Sequence, residues 1–246
     1  MTAMSAPGSA SASATTVVPR RSAARAPWVP TAILLVVAGT ALILAAGIRW
    51  RPCIIDLDSP ACVAAQDHLR DYGIVSAPFE PILGAVVLAA LASFVMTGFW
   101  LVWASWAAAS RTALVACLVA AAASVVIGAG QLLAALTDAA LGVLGWVPAS
   151  VLGLISLLAP VVASIVLFVL SRSHRGRLAW AVLAIGLCLG SQIAEYVILS
   201  SAFLASHDSP IGTGFLPGIV LVVSGFLFGI AAIGRAGTPV VNPPPS

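Results

Sequence analysis

Six long apolar runs constrain this chain more than any other feature of its sequence. A helix needs roughly 20 apolar residues to cross a hydrocarbon core of about 30 Å, and each run reaches that length. None of them alternates with the two-residue period of a barrel strand, and a helix satisfies its own backbone hydrogen bonds in lipid. We therefore predict an all-α, polytopic membrane protein with six transmembrane helices. The predicted spans cover residues 28–49, 82–106, 112–136, 149–171, 178–203 and 214–234.

The charged residues predict how these spans are oriented. Charged residues make up 8% of the chain, against about a quarter in soluble proteins. Under simple alternation, eight arginines fall on one side without any acidic residue, and every acidic residue except Glu195 falls on the other side. Because arginine is enriched on the cytoplasmic side, we expect both termini to be cytoplasmic. The eight arginines are Arg20, Arg21, Arg25, Arg111, Arg172, Arg175, Arg177 and Arg235.

The tryptophans give the same orientation independently. Trp28, Trp106 and Trp180 fall at the inner boundaries of the predicted spans, and Trp50 and Trp146 fall at the outer boundaries. Indole rings prefer the interface between lipid and water. The sequence therefore predicts these side chains as interfacial anchors of a multi-pass protein of the cell membrane.

The segments outside the spans are short. Residues 1–27 are rich in Ala, Ser, Thr and Pro, which predicts a disordered cytoplasmic tail, and residues 235–246 form a second cytoplasmic tail. The first run is longer than a signal-peptide core, so we expect an uncleaved anchor. In the outer loop, residues 50–81, Ser59 before Pro60 resembles a helix start and predicts a short helix that ends near Tyr72, with Tyr72 toward the bilayer.

Two of the four cysteines fall in or beside that outer loop. Cys53 and Cys62 both face the oxidising exterior under the predicted orientation, which favours a disulfide between them. The bond would tie the loop helix to the end of the first span. A redox pair is the less favoured interpretation, because the chain has no Cys-x-x-Cys motif. Cys117 and Cys188 are expected to be small buried side chains within spans.

Glu195 is the one acidic residue inside a predicted span. An ionised group in hydrocarbon costs several kcal/mol, so such a residue is by default a functional hypothesis. Gln192 and Glu195 share one face of the fifth helix with Cys188 and Leu199, because these residues are spaced by four, three and four. Two interpretations stay open for Glu195, namely proton coupling or cation binding, and a hydrogen bond that serves helix packing alone.

The third span offers a partner for this polar face. Cys117, Ser124, Gln131 and Asp138 recur every seven residues and therefore share a helix face. We predict that spans three and five face each other around a polar cavity in the outer half of the membrane. The residues of this predicted intramembrane polar site are Glu195, Gln192, Gln131 and Tyr196.

Glycines predict where helices pack closely. Gly186 and Gly190 form a GxxxG pair in the fifth span, and Gly218, Gly225 and Gly229 line one side of the sixth. Small residues let helix backbones approach in lipid. We expect spans five and six to pack as an antiparallel hairpin through these glycines.

Three function classes remain open on this evidence. A small-molecule or proton-coupled carrier accounts for the intramembrane glutamate and its amide neighbours. A non-catalytic structural or regulatory partner, assembling as a homo-oligomer or with another envelope protein, accounts for the glycine faces. An enzyme is least favoured, because no clustered acid and base groups are found. We predict no cofactor, no metal site and no nucleic-acid partner, since the arginines are spread over short segments beside the bilayer.

Overall fold

The computed structural model describes residues 27–67, 69–72, 80–137, 149–203 and 209–236, and these contain helices and no strand. The greater part of both predicted tails lies outside the described residues, as do Asp138 and Trp146. The helices are α1 (Trp28–Ile55), α2 (Pro60–Gln66), α3 (Leu83–Trp106), α4 (Arg111–Thr137), α5 (Ala149–Leu170), α6 (His174–Leu187), α7 (Leu189–Phe203) and α8 (Phe215–Ala236).

The predicted all-α membrane architecture is confirmed. By length and apolar composition, five helical segments could cross a membrane, and the count is six if α6 and α7 together form one bent span. The described helices coincide with the predicted spans within about two residues, except that α1 continues to Ile55 and α6 begins at His174, four residues before the predicted fifth span. These long apolar helices therefore form the framework that holds the polar groups in place.

The long helices pack as a closed ring. Around the ring, α1 packs on α3, α3 on α4, α4 on α5, α5 on α6, α6 on α8, and α8 on α1. The short α7 contacts α6 and α8. We call the end of this ring that carries α2 the disulfide end.

Aromatic side chains fill the ring at the other end. The rings of Trp28, Trp103, Trp180 and Phe228 lie with their centroids about 5 to 6 Å apart, several of them edge to face. The prediction that Trp28 and Trp180 are interfacial anchors is therefore wrong, and it is also wrong for Trp50 at the disulfide end, because all three side chains are buried. Trp28 and Trp180 each pack against aromatic rings from α3 and α8. Trp106, which is 40% exposed, is free to take the predicted position.

The predicted disulfide is present at the disulfide end. Cys53 near the end of α1 is bonded to Cys62 in α2, with their Cα atoms 4.8 Å apart. The predicted helix start is also present, since the Ser59 hydroxyl accepts a hydrogen bond from the Cys62 amide at 3.2 Å. The helix itself is shorter than predicted and ends at Gln66. Tyr72 turns inward instead of facing the bilayer and is 5% exposed.

Removing the disulfide should destabilise the protein moderately. We expect the double substitution Cys53→Ser and Cys62→Ser to lower the free energy of unfolding by about 2 to 3 kcal/mol, the range for closing a loop of this length. Unfolding in mixed micelles of increasing sodium dodecyl sulfate content, followed by tryptophan fluorescence, measures the loss. The matched control is Cys117→Ser with Cys188→Ser, which leaves the disulfide intact. An unchanged unfolding midpoint in the variant that lacks Cys53 and Cys62 would contradict the expected role of the disulfide.

Glycines of α8 pack against α1 and not against the fifth span. A Cβ added to Gly218 would lie 2.8 Å from the Gly39 carbonyl oxygen, and one added to Gly225 would lie 2.7 Å from Val36 Cγ2. The expected α6–α8 contact exists but uses Gly186, whose added Cβ would collide with Val220. Near Gly190 an added Cβ would meet only Cys188 Sγ, and near Gly229 only Ala32 Cβ at 4.0 Å. The predicted packing of the fifth span against the sixth is therefore present through Gly186, whereas Gly218 and Gly225 of the sixth span face α1.

The fifth span is broken, contrary to the predicted continuous helix. The axes of α6 and α7 differ by 59°, and Cys188 between them has an extended backbone with ψ 159°. Gly186 and Gly190 flank the break and lower the helix propensity there. The Ser191 hydroxyl donates to the carbonyl oxygens of Gly186 at 2.6 Å and Cys188 at 2.8 Å, which satisfies carbonyls that the break frees. The polar face of α7 can therefore point independently of α6.

Candidate functional site

A cavity of about 760 Å³ lies toward the disulfide end of the ring. Residues from α1, α3, α4, α5, α7, the last residue of α6 and the start of α8 line it, together with the segments that follow α2 and precede α8. All four residues of the predicted intramembrane site are on its wall, namely Gln131, Gln192, Glu195 and Tyr196. The structure thus brings these four together around one volume, although α4 and α7 are not principal packing partners.

Glu195 is held against the first turn of α8. Its Oε1 accepts hydrogen bonds from the backbone amides of Gly214, at 3.1 Å, and Leu216, at 2.8 Å. Gly214 has a φ of +95°, a conformation that glycine adopts readily and that presents these amides to α7. The first amides of a helix have no partner within the helix and carry a partial positive charge, so a carboxylate is a favourable ligand for them.

The second carboxylate oxygen of Glu195 has a different environment. Among the described residues, no hydrogen bond is made to Oε2, while the residue as a whole is half-buried and lines the cavity. Glu195 therefore combines a structural contact through one oxygen with an available acceptor through the other. Neither of the two interpretations drawn from the sequence described this divided arrangement.

The two contacts of Glu195 predict unequal effects of two substitutions. We expect Glu195→Ala to lower the free energy of unfolding by about 1.5 to 3 kcal/mol, because two backbone amides lose a charged acceptor. Glu195→Gln should cost less, since the amide oxygen can still accept both bonds. Unfolding in mixed micelles checks both variants, with Gln192→Ala, an exposed residue on the same helix, as the control that should be near neutral. Equal losses for Glu195→Ala and the control would rule out the contact to α8.

Arg49 is the main residue of the cavity wall that sequence reasoning missed. It lies at the end of the first predicted span, yet it is 5% exposed and lies on the cavity wall. Its Nη1 is 2.6 Å from Asp71 Oδ1, its Nη2 donates to the Ala65 carbonyl oxygen at 2.7 Å, and its guanidinium lies 4.5 Å from the centre of the Trp50 ring. A signal was present in the sequence, because an arginine at the acidic end of an apolar run needs a carboxylate partner.

Tyr72 connects the two polar parts of the cavity. Gln131 Nε2 donates to the Tyr72 carbonyl oxygen at 2.8 Å, and the Tyr72 hydroxyl donates to the Gly214 carbonyl oxygen at 3.4 Å. Burial, as the largest cause, raises the pKa of Tyr72 above its ordinary value, so the phenol stays neutral at physiological pH. Gln131 is fixed further by Ser93, whose hydroxyl donates to Gln131 Oε1 at 2.9 Å.

These contacts leave the cavity with one unbalanced charge. Arg49 and Asp71 neutralise each other as an ion pair, and Tyr72 carries no charge. The remaining charged residue of the lining is Glu195. When Glu195 is ionised, the described wall of the cavity therefore has a formal charge of minus one.

Metal binding finds no support in the part of the chain that the structure describes. No group of three or more His, Cys, Asp or Glu side chains there could hold a metal ion. His68 and His207, two of the three histidines, lie outside the described residues. What the described site offers is a polar recess with one carboxylate, several hydrogen-bonding groups and apolar walls.

Comparison with known proteins gives no further guide to this site. No family model, no curated protein and no solved structure matches the chain.

Proposed function

We propose that this protein is a small-molecule carrier of the cell membrane, whose solute binds in the cavity around Glu195, Gln192, Gln131 and Tyr196. The main support is that polar side chains from the third and the fifth predicted spans, one of them a glutamate, line a single cavity of about 760 Å³. Ligand sites of several hundred Å³ with few polar groups on apolar walls are typical of small-molecule binding. Broken transmembrane helices also commonly border the binding sites of transporters, and α6 and α7 are such a pair.

The position of α7 supports a carrier in a second way. α7 is joined to α6 through the break at Cys188 and to the start of α8 through Glu195. Loss of the Glu195 contacts would allow α7 to rotate about the break without disturbing the ring of long helices. Protonation of Glu195, or a cation bound to it, would weaken those contacts and so couple occupancy to movement.

A structural or regulatory partner protein is the alternative, and one observation favours it. Glu195 Oε1 already stabilises α8, which gives the carboxylate a packing role without any solute. In that case the apolar outward surface of α7, where Ile193, Val197 and Ile198 are more than half exposed, would contact a second copy or another envelope protein. The two proposals differ in whether the cavity communicates with both sides of the membrane.

Accessibility of position 192 from each side tests the carrier. In a background with Cys117→Ser and Cys188→Ser, Gln192→Cys should react with an impermeant methanethiosulfonate reagent in right-side-out vesicles and also in inverted vesicles. Asp58→Cys, on the exposed loop, should react only from the outside if both termini are cytoplasmic as proposed. Val162→Cys, on an apolar helix surface, should react from neither side. Reaction of Gln192→Cys from one side alone would reject the carrier in favour of the partner role.

A further inference from the structure

The charge of the cavity favours a cation as its ligand. Arg49 is engaged by Asp71 and by the Ala65 carbonyl oxygen, so its charge is already balanced. Glu195 retains an oxygen that no described residue binds. An anion would face an unbalanced carboxylate, whereas a cation would neutralise it. Tyr196 adds an aromatic ring to the same wall, and such rings attract cations near their faces.

The remaining wall selects for a ligand with an apolar body. Leucine, isoleucine and proline side chains from six helices contribute to it, including Leu42, Ile127, Leu157, Leu187 and Pro217. A small hydrophilic cation would lose its hydration against these side chains without compensation. A molecule with one charged group and a hydrocarbon or aryl body would place each part against matching chemistry.

The rim of the cavity indicates where such a molecule could enter. Leu154 of α5 and Leu189 of α7 both line the cavity, and they are 55% and 54% exposed. Tyr196, on the same side of α7, is 45% exposed. These side chains belong to segments that face lipid in a six-span arrangement, so this rim is bordered by the bilayer between α5 and α7.

We propose that the cavity binds a lipophilic organic cation with a single positive charge, which reaches it from the bilayer between α5 and α7 and pairs with Glu195 Oε2. This inference rests on the proposed function for the location of the site and adds the chemical class of its ligand. The ion pair would form in a region of low dielectric constant, where one carboxylate discriminates strongly between charges. The apolar walls would contribute affinity for the body of the ligand without regard to its charge.

Tetraphenylphosphonium and tetraphenylborate test the charge selectivity directly, because they present the same aryl surface with opposite charge. Equilibrium dialysis of each labelled ion against the full-length protein in nanodiscs, with empty nanodiscs subtracted, measures binding. We expect saturable binding of tetraphenylphosphonium at one site per chain and none of tetraphenylborate. Equal binding of the two ions, or no saturable binding of the cation, would overturn the inference.

Two variants locate the selectivity at Glu195. Glu195→Gln keeps an acceptor for the α8 amides and removes the charge, so binding of the cation should weaken at least about tenfold. Gln192→Glu adds a negative charge to the same wall and should tighten binding, which keeps the test valid if Glu195→Gln does not fold. The matched control is Asp58→Asn, which removes an exposed carboxylate outside the cavity and should leave binding unchanged. Unaltered binding in Glu195→Gln would contradict the proposal.

The failure of this inference is distinguishable from failure of the carrier. If position 192 is accessible from both sides but tetraphenylphosphonium does not bind, the carrier stands and the ligand class is wrong. If the cation binds in a Glu195-dependent manner but position 192 is accessible from one side alone, the ligand class stands and the carrier is wrong.

Discussion

Replacement of Asp71 by alanine is expected to lower the free energy of unfolding by about 3 to 5 kcal/mol, the range for a buried ion pair that loses one partner. The substitution leaves the Arg49 guanidinium, which is 5% exposed, without its carboxylate 2.6 Å away. The charge then faces only the Ala65 carbonyl oxygen and the Trp50 ring. Because Arg49 is fixed in α1, the protein cannot relieve this cost by exposing the side chain without distorting the disulfide end.

Two controls separate the ion pair from a general effect of charge. Asp58→Ala removes an exposed carboxylate of the same loop and should change stability by less than about 0.5 kcal/mol. Adding Arg49→Met to Asp71→Ala removes the buried charge that has lost its partner. The double variant should recover most of the lost free energy of unfolding, since apolar replacements of a buried pair are often neutral. Unfolding in mixed micelles measures all three variants. A double variant no more stable than Asp71→Ala would show that the pair is not the source of the effect.

Replacement of Gly39 by valine is expected to be the second most damaging change, with a loss of about 3 kcal/mol. A Cβ at this position would lie 2.5 Å from the Gly218 carbonyl oxygen and 2.8 Å from the Val222 backbone nitrogen. Backbone atoms of α8 cannot rotate away as a flexible side chain could. The two helices must therefore separate, and that separation would weaken the closure of the ring.

Gly47 provides the control on the same helix. An added Cβ there has no atom within 4 Å, so Gly47→Val should be tolerated and could benefit slightly from the higher helix propensity of valine. The comparison uses identical chemistry at two positions of α1. Similar losses of unfolding free energy at positions 39 and 47 would mean that α1 and α8 are further apart than in the structure.

The framework was predictable because lipid makes length and composition decisive. Runs such as 82–106 and 112–136 must be helical to satisfy their backbone, and the observed helices Leu83–Trp106 and Arg111–Thr137 follow them closely. The Cys53–Cys62 bond was predictable for a related reason, since orientation left these two cysteines together outside the spans. Both conclusions need only the local sequence and the rule that long apolar runs cross the membrane as helices.

The incorrect predictions concern residues that could pack against several partners of similar chemistry. A glycine side of α8 can pack on any neighbouring helix, and only the three-dimensional arrangement selects Gly39 of α1. Trp180 can anchor at an interface or pack among other rings, and the sequence does not distinguish these. The break at Cys188 lies between two glycines without a proline, so propensity lowers the cost of breaking there but does not require it. The burial of Arg49 was not predicted because its partner Asp71 lies 22 positions later in the chain.

The sequence identified four polar residues that line one cavity, but not the geometry that connects them. Gln131, Gln192, Glu195 and Tyr196 do share one cavity, yet the face argument assumed a continuous fifth helix that is broken. Gln131 and Glu195 are connected through Tyr72 and Gly214, which lie far from both in sequence. Polarity inside an apolar run identifies such residues, whereas the loops that join them are chosen by tertiary packing.

Crosslinking across the cavity tests most directly the claim that these separate spans surround one polar volume. In the Cys117→Ser and Cys188→Ser background, Gln131→Cys and Glu195→Cys should be joined within one chain by a bifunctional thiosulfonate reagent. Leu132→Cys with Glu195→Cys should not be joined, because Leu132 does not line the cavity and is 37% exposed. Crosslinking of the first pair alone is the predicted result. No crosslink between positions 131 and 195 with any spacer length would contradict the shared cavity and the function proposed for it.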